Sequence, residues 1–557
     1  MGQQKKGGFI MQAGILAAAG IIVRLIGILY RSPLVAIIGD EGNGYYNTAY
    51  NIYTIILLVS SYSIPSAISK VIAARLAVKE YENAHRIFTC SFYYVIVAGG
   101  VGSLLCFFGA EWLVGYNSAM VLRVFAPTIF LSGLLGVFRG YFQAHRSMMQ
   151  TSLSQIFEQI LNAVVSLLAA FLFMQAVANA DDTTKAIHGA MGSAIGTGSG
   201  VLIALLFMVL VYRLNKKGFQ ARRRQDKKEN LLRYREIFKL IICMVTPVIL
   251  STFIYNLNTT TNLKVYQGIM QSVKGFTEEA ATTAYGLFSG KAMQIINIPV
   301  ALASAMSAAI IPTIAGTFER KEKKETRKRV AQAIKVTMLI SIPCAVGLFV
   351  LAKPVVMLLY PQRATVDMVA SLIQVLSIGV VLYGLSTLSN AILQGTGRVN
   401  APVWHALVAL IIQTGILVVL LLYTNLDLYS MCIATLSYAF IMCVLNAWAV
   451  KKHLHYKQEM MRTFILPAIA AFWMGLFCYG TYQGMAWIIR VLLKDNTMEM
   501  SGLWNVLCLA VALIVAVIVY FILILKLGAV GKKELQDMPK GRTIIRIGVK
   551  LRLLSEK

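Results

Sequence analysis

The chain has 557 residues, of which 58% are hydrophobic, and a formal charge of +28. A mean hydropathy of +0.69 with apolar runs of bilayer length excludes a soluble globular enzyme and predicts an all-α integral membrane protein. The charge does not mark a nucleic-acid binder, because the excess basic residues lie between apolar segments, where membrane topology puts them.

Apolar runs predict fourteen transmembrane helices, at 9–38, 44–74, 87–110, 119–143, 152–176, 187–212, 237–265, 282–317, 330–352, 367–393, 402–424, 429–450, 463–489 and 501–527. Several exceed twenty residues, so tilt or breaks are expected. The first run, with Lys5 and Lys6 ahead of Ala17-Ala18-Ala19, imitates a signal peptide. It continues past Arg24 to Ile38 and therefore reads as a retained helix. Met1-Gly2 resembles a myristoylation start, but Lys6 stands where that motif has Ser or Thr.

The connections alternate in charge. Lys79 to Arg86, His145-Arg146, Arg213 to Arg235, Arg320 to Arg329, Arg398, Lys451 to Arg462 and the tail from Lys532 are basic. Asp40-Glu41, Glu111, Asp181-Asp182, Glu278-Glu279, Asp427 and Asp495 to Glu499 are neutral or acidic. An even number of spans with both termini cytoplasmic satisfies this pattern. The Arg222-Arg223-Arg224 loop reads either as a topology anchor or as a contact with anionic lipid. The eight cysteines form no CxxC and no metal-ligand cluster, and read as small buried hydrophobes.

Two halves of the chain resemble each other at a separation of about 250 residues. Ser63 to Ile68 echoes Ile310 to Ala315; Gly133 through Arg139 to Gln143 echoes Gly384 through Asn390 to Gln394; Asn162 falls opposite Gln413. Two six-helix lobes in the same membrane orientation follow, related by a pseudo-two-fold axis along the membrane normal, plus two C-terminal helices. The expected division is an N-lobe at 1–212, a basic cytoplasmic loop at 213–236, a C-lobe at 237–450, helices thirteen and fourteen within 451–527, and a basic tail at 528–557.

A cation in the bilayer core costs roughly 2.5–3.5 kcal/mol even on lenient insertion scales, so such residues face a watery cavity or a charged partner. In helix one, Arg24, Gly27 and Arg31 share a face, two guanidinium forks about two turns apart with a glycine between them. Arginine binds phosphate oxygens bidentately and keeps its charge, which suits a pyrophosphate; the alternative is that Arg31 snorkels to the outer interface. In helix five, Gln155, Glu158, Gln159, Asn162 and Ser166 make one polar stripe. Glu158 there balances an arginine, binds a coupling cation or carries a proton, unless the stripe is an interhelical hydrogen-bonding seam. Helix seven carries Tyr255, Asn256, Asn258, Thr259, Thr260, Thr261, Asn262 and Lys264, which predicts a water-lined or unwound outer half. Helix eight adds Lys291, Gln294, Asn297 and Pro299, the proline marking a break. Lys70 and Arg75 lie near the cytoplasmic end of helix two.

Gly39-Asp40-Glu41-Gly42-Asn43-Gly44-Tyr45-Tyr46, Pro65-Ser66-Ala67-Ile68-Ser69-Lys70 and Ile392-Leu393-Gln394-Gly395 resemble the polysaccharide-export proteins of the multidrug/oligosaccharidyl-lipid/polysaccharide superfamily. Over essentially the whole chain, the resemblance is to the stage V sporulation protein B and MurJ-like branch. It implies a fourteen-helix, two-lobe flippase moving a polyprenyl-pyrophosphate saccharide of undecaprenyl type, above all lipid II, by alternating access. First-helix arginines contact the diphosphate in that family, and Arg24 sits in a matching Arg-x-x-Gly pattern. Gram-negative members carry a second first-helix arginine followed by an acid; here Tyr30-Arg31-Ser32 shifts the base by one place and lacks the acid. Lys70 is the nearest substitute for their second-helix arginine, and Lys291 or Gln294 approximates their eighth-helix one.

The expected substrate-binding set is therefore Arg24, Arg31, Lys70, Asn258, Asn262, Lys291 and Gln294, with Gly27, Glu158, Asn162 and Pro299 for coupling or gating. No cofactor or metal is expected; membrane potential, Na+ or H+ would couple transport, and partners would be membrane lipid and cell-wall synthesis proteins. The competing classes are a flippase for a capsule, teichoic or O-antigen-like oligosaccharide, a multidrug cation antiporter, and a membrane glycosyltransferase. The second needs cavity carboxylates, whereas the embedded charge here is mostly positive; the third needs catalytic acids and a sizeable outer domain, and no outer connection is long enough.

Overall fold

The computed structural model describes residues 2–58, 60, 64–145, 147–224, 226, 231–301, 303, 314, 317–318, 320–360, 362–398, 400–493 and 502–530. Within these, side chains at 2–18, 21, 24, 25, 28, 64, 66, 67, 70, 74, 77, 244–256, 492 and 493 lie outside the described set. The chain forms an all-α multi-pass membrane fold with two compact units, Met1–Gly286 and Leu287–Lys557.

The first unit opens with α1 (Gly2–Leu57), which turns sharply at Gly39, where φ is 72° and ψ is −178°. That region is open only to glycine, so the expected segments 9–38 and 44–74 meet at one residue rather than across a loop. The next described helix is α2 (Ile64–Ala77). Then follow α3 (Tyr81–Phe108), the short α4 (Ala110–Val114), α5 (Tyr116–Ala144), α6 (Met148–Ala176), α7 (Asp182–Arg224), α8 (Tyr234–Ser272) and α9 (Glu278–Gly286). Asp181 starts α7 by accepting from the Thr184 amide at 2.9 Å and its hydroxyl at 2.7 Å, which holds its carboxyl below the usual range. With 43 residues, α7 is about 65 Å long against a hydrocarbon core of about 30 Å, so its basic end projects beyond the bilayer.

Close packing of α6 on α7 rests on small residues. A Cβ at Gly192 would come within 2.5 Å of the Ala169 carbonyl, and one at Gly200 within 2.4 Å of the Glu158 carbonyl. This is the small-xxx-small contact by which membrane helices approach without a hydrophobic driving force. The unit reaches past the 213–236 connection because α8 packs on α1, α2 and α3, and α9 on α1. One core cluster of the unit joins Ile72, Ile87, Phe88, Leu135, Phe138 and Tyr141.

The second unit begins with a π-helical stretch, Leu287–Ala292, continued by α10 (293–301). After it come α11 (Lys323–Val350), α12 (Ala352–Leu359), α13 (Val366–Leu376), α14 (Ile378–Gly395), α15 (Asn400–Tyr423), α16 (Leu428–Leu454), α17 (Leu466–Leu493) and α18 (Gly502–Lys526). The last helix is tied in by Asn505, which accepts from Tyr482 Oη at 2.8 Å and donates to the Pro354 carbonyl at 3.0 Å.

Among the described residues, ten helices are long and apolar enough to cross a membrane. Exposed Val97, Leu104, Leu172 and Val517 on their outer faces suit acyl chains. The predicted segments 9–38, 44–74, 237–265 and 282–317 are not among the ten; each carries a cation (Arg24 and Arg31, Lys70, Lys264, Lys291), and parts of them lie outside the described residues. Ser63, residues 310–313 and 315, Arg146, residues 494–501 and the tail from 531 also lie outside. One expectation fails at Cys243, which is exposed on α8 where protein packing does not cover it; Cys344 is partly covered and the other six cysteines are buried.

Candidate functional site

Arg31 and Asn47 stand on the two arms of α1. In a straight helix sixteen residues rise about 24 Å, yet the turn at Gly39 lets Arg31 Nη1 donate to Asn47 Oδ1 at 3.2 Å. The guanidinium carbon lies 5.7 Å from the Tyr46 ring centroid and 5.9 Å from that of Tyr50, within cation–π range. These rings stack on each other at 5.6 Å and 12°, and Tyr53 stacks on Phe125 at 4.7 Å behind them. Asn47 is itself held, donating through Nδ2 to the Asn43 carbonyl at 2.6 Å and to Asn43 Oδ1 at 2.7 Å. Asn43, Tyr46, Asn47 and Tyr50 recur at helical spacing and make one polar, aromatic face. Arg31 is half-buried against it rather than reaching away from the protein.

One turn before Arg31, a Cβ on Gly27 would lie 3.2 Å from Gln159 Nε2, so this glycine is where α1 meets the polar stripe of α6. The side chains of Arg24 and Lys70 lie outside the described residues.

On α6, Glu158 accepts from Arg139 Nη2 at 2.7 Å, and Arg139 Nε donates to Ser154 Oγ at 2.9 Å. Both side chains are largely covered, 14% exposed for Arg139 and 29% for Glu158. Glu158 thus balances an arginine, one supplied by α5. Asn162 Oδ1 accepts from Ser166 Oγ at 3.0 Å and Thr197 Oγ1 at 3.4 Å, joining the α6–α7 seam.

The polar residues of α8 do not unwind it: the helix is continuous from Tyr234 to Ser272, which overturns the unwound alternative of the sequence expectation and leaves the water-lined one. Neighbouring helices supply polar partners to two of its side chains. Gln267 Nε2 donates to Thr48 Oγ1 at 3.4 Å and Thr282 Oγ1 at 3.2 Å, and Lys264 Nζ to the Trp112 carbonyl at 3.3 Å. Asn262 is buried; Asn258 is half-buried, and its Oδ1 is enclosed without a partner among the described residues. The side chains of Tyr255 and Asn256 lie outside them. Alongside, α9 crosses the return arm of α1 at backbone contact, since a Cβ on Gly286 would sit 2.6 Å from Gly44 Cα, and Asn51 Nδ2 donates to Tyr285 Oη at 3.0 Å.

In the second unit Lys291 is fully buried within the π-helical stretch. Its Nζ donates to Gln362 Oε1 at 3.3 Å and Thr365 Oγ1 at 3.2 Å, and lies 5.1 Å from the Tyr360 ring centroid. Gln294 and Pro299 are half-buried one and two turns further along α10. The expected break at Pro299 does not occur there, because the backbone stays helical through it to residue 301; the irregularity falls earlier, in the π stretch that carries Lys291. Such bulges are frequent at functional sites. Among the described residues no three His, Cys, Asp or Glu side chains group as a metal site.

Sequence reading missed Tyr46, Asn47 and Tyr50 as partners of Arg31, Arg139 as the partner of Glu158, and Gln362 and Thr365 as those of Lys291. Only the first group carried a local signal, the repeat of Asn and Tyr at helical spacing after Gly42.

The family model for the lipid II flippase MurJ matches residues 87–495. Stage V sporulation protein B of Bacillus subtilis strain 168 is 24% identical over 548 residues, covering 97% of this chain and 99% of that protein. The lipid II flippase MurJ of the same organism is 23% identical over 487 residues, covering 82% and 85%. Among solved structures, the inward closed conformation of lipid II flippase MurJ superposes with a TM-score of 0.66 at 13% identity, covering 91% of this chain and 97% of that one; this likeness shows the fold.

Proposed function

We propose that this chain, which belongs to the lipid II flippase MurJ family, moves a polyprenyl-pyrophosphate saccharide from the inner to the outer leaflet by alternating access, and that the saccharide is lipid II. The chain is a transporter of this superfamily rather than an enzyme. In our reading it crosses a bacterial cytoplasmic membrane fourteen times with both termini cytoplasmic, as two six-helix lobes and a C-terminal pair.

The observation that carries the substrate assignment is Arg31, a permanently charged fork in the first predicted membrane segment, oriented by Asn47 and the stacked Tyr46 and Tyr50 rings. Guanidinium geometry matches pyrophosphate oxygens, and an orientation fixed in advance lowers the cost of engaging them. Arg24, Lys70 and Lys291 complete the cationic set, and Asn258, Asn262 and Gln294 supply amides for sugar hydroxyls. Gly27 and Pro299 serve the conformational change, with Glu158 and Asn162 linking α5, α6 and α7 to it; membrane potential, Na+ or H+ drives it. The same chemistry serves another lipid-linked oligosaccharide, a reading favoured by the shifted Tyr30-Arg31-Ser32.

Depletion of the protein in its host, in a background without other flippases, tests this with an assay of lipid II accessible at the outer leaflet. Loss of outer lipid II with accumulation inside supports lipid II; unchanged lipid II beside an accumulating different lipid-linked saccharide selects the second reading. Neither accumulating would overturn the flippase assignment.

A further inference from the structure

The projecting end of α7 builds a second site. Tyr212, Lys216, Phe219, Gln220 and Arg223 lie on one face of that helix and, with His85 of α3, line an open cleft of about 250 Å³. Its walls are tied together by ring contacts and an ion pair. Phe219 stacks on Tyr212 at 5.9 Å and 20° and packs on Tyr141 at 5.1 Å and His145 at 4.9 Å. Arg223 is anchored by two bonds of 3.0 Å, Nε to Glu82 Oε2 and Nη2 to Glu82 Oε1. The Glu82 amide in turn donates to Asp226 Oδ2 at 2.7 Å.

What this frame holds is a set of nitrogen groups. The Lys216 ammonium and the Gln220 amide stand at the exposed mouth, the Arg223 guanidinium is part-covered, and His85 Nδ1 is enclosed with no hydrogen-bond partner among the described residues. A buried ring nitrogen without a partner costs free energy unless a ligand or water engages it. Pure topology anchoring needs only basic residues facing water, not a cleft with aromatic walls and an enclosed ring nitrogen. The volume falls below the roughly 300–1,000 Å³ of pockets that swallow whole drug-sized molecules, which suits a headgroup-sized anion.

We propose that this cleft binds a phosphate-bearing anion, either the headgroup of an anionic membrane lipid or a soluble phosphate. Lys216 and Arg223 supply charge-assisted bonds to the phosphate oxygens, Gln220 a neutral one, and Phe219 and Tyr212 a wall for the esterified side. The site stands apart from the Arg31 face and does not rest on the transport reading.

The test is native mass spectrometry of the full-length protein carrying phosphatidylglycerol or phosphatidylcholine, with and without millimolar inorganic phosphate. The expected result is selective retention of phosphatidylglycerol, reduced roughly tenfold or more by Lys216→Gln, the size of one charge-assisted hydrogen bond. Exposed Lys217, the next residue on α7, is the control: Lys217→Gln should cost no more than the roughly fivefold of general surface attraction. Displacement of the lipid by inorganic phosphate assigns the site to soluble phosphate, and persistence assigns it to the lipid headgroup. Equal losses from both variants, or no preference for phosphatidylglycerol together with no effect of phosphate, would overturn the proposal.

Discussion

Arg31 and Asn47 belong to one helix and are sixteen residues apart, yet their side chains hydrogen-bond at 3.2 Å. Gly39, midway between them, makes this geometry by its turn. The charged face of the first arm and the amide and aromatic face of the second are thereby folded onto each other without an intervening loop. The cationic site is thus a property of the turn as much as of the arginine.

Gly39→Ala should separate the two arms. At φ 72° and ψ −178° a Cβ costs about 1–3 kcal/mol, and the space around the residue is open, so the penalty is backbone strain rather than collision. We expect a lower thermal midpoint in detergent and loss of complementation in flippase-depleted cells. Full activity with an unchanged midpoint would mean that the turn is not needed in the working protein.

Arg31→Ala should reduce transport by at least tenfold while leaving the amount of protein in the membrane unchanged. Arg31→Lys separates charge from fork: it keeps the cation but loses the planar donor pair and much of the stacking on Tyr46 and Tyr50. Only partial recovery is expected. Asn47→Ala should give a milder defect, since it frees the guanidinium without removing it. Complete rescue by lysine would show that position 31 supplies charge alone.

Arg139 and Glu158 test whether the α6 stripe is structural or coupling. Glu158→Gln leaves a largely covered guanidinium short of its counter-ion, a loss of about 1–3 kcal/mol. The double variant with Arg139→Gln should recover stability, because no uncompensated charge remains. Thermal midpoints of the four proteins give the coupling energy. If the double variant is stable but fails to transport, the pair acts in the cycle; stable and active, it is a structural bridge.

How much of this was visible in the sequence depends on the range of the interaction. Helices at the predicted segments follow from apolar length, which is a local property, and the shared face of Arg31 and Gly27 follows from their spacing. The stacked pair Tyr46 and Tyr50 was also local, a repeat at helical spacing that begins inside the motif Gly39 to Tyr46. Glu158 and Lys291 were recognised as polar residues in apolar surroundings, whereas Arg139, Gln362 and Thr365 come from other helices, and no periodicity within one segment can point to them. The continuity of α8 shows the same limit: its polar residues left unwinding open as one alternative, and the partner that Lys264 finds in the Trp112 carbonyl of α4 lies on another helix.

Lys291 poses the sharpest contrast between structural and substrate roles, because it is fully buried and its ammonium already donates to Gln362 and Thr365. Lys291→Met keeps the length and apolar stem and removes the charge. Replacing a buried charge by an apolar side chain of similar volume is often neutral or stabilising. If Lys291 serves only the fold, the variant should keep both its thermal midpoint and its transport. We expect instead that stability is retained while transport falls by tenfold or more, because a π-helical stretch that carries a lysine is positioned to release it toward an anion when the surrounding helices move. Transport at the original rate with an unchanged midpoint would remove Lys291 from the substrate set and leave the first-unit arginines to bind the pyrophosphate.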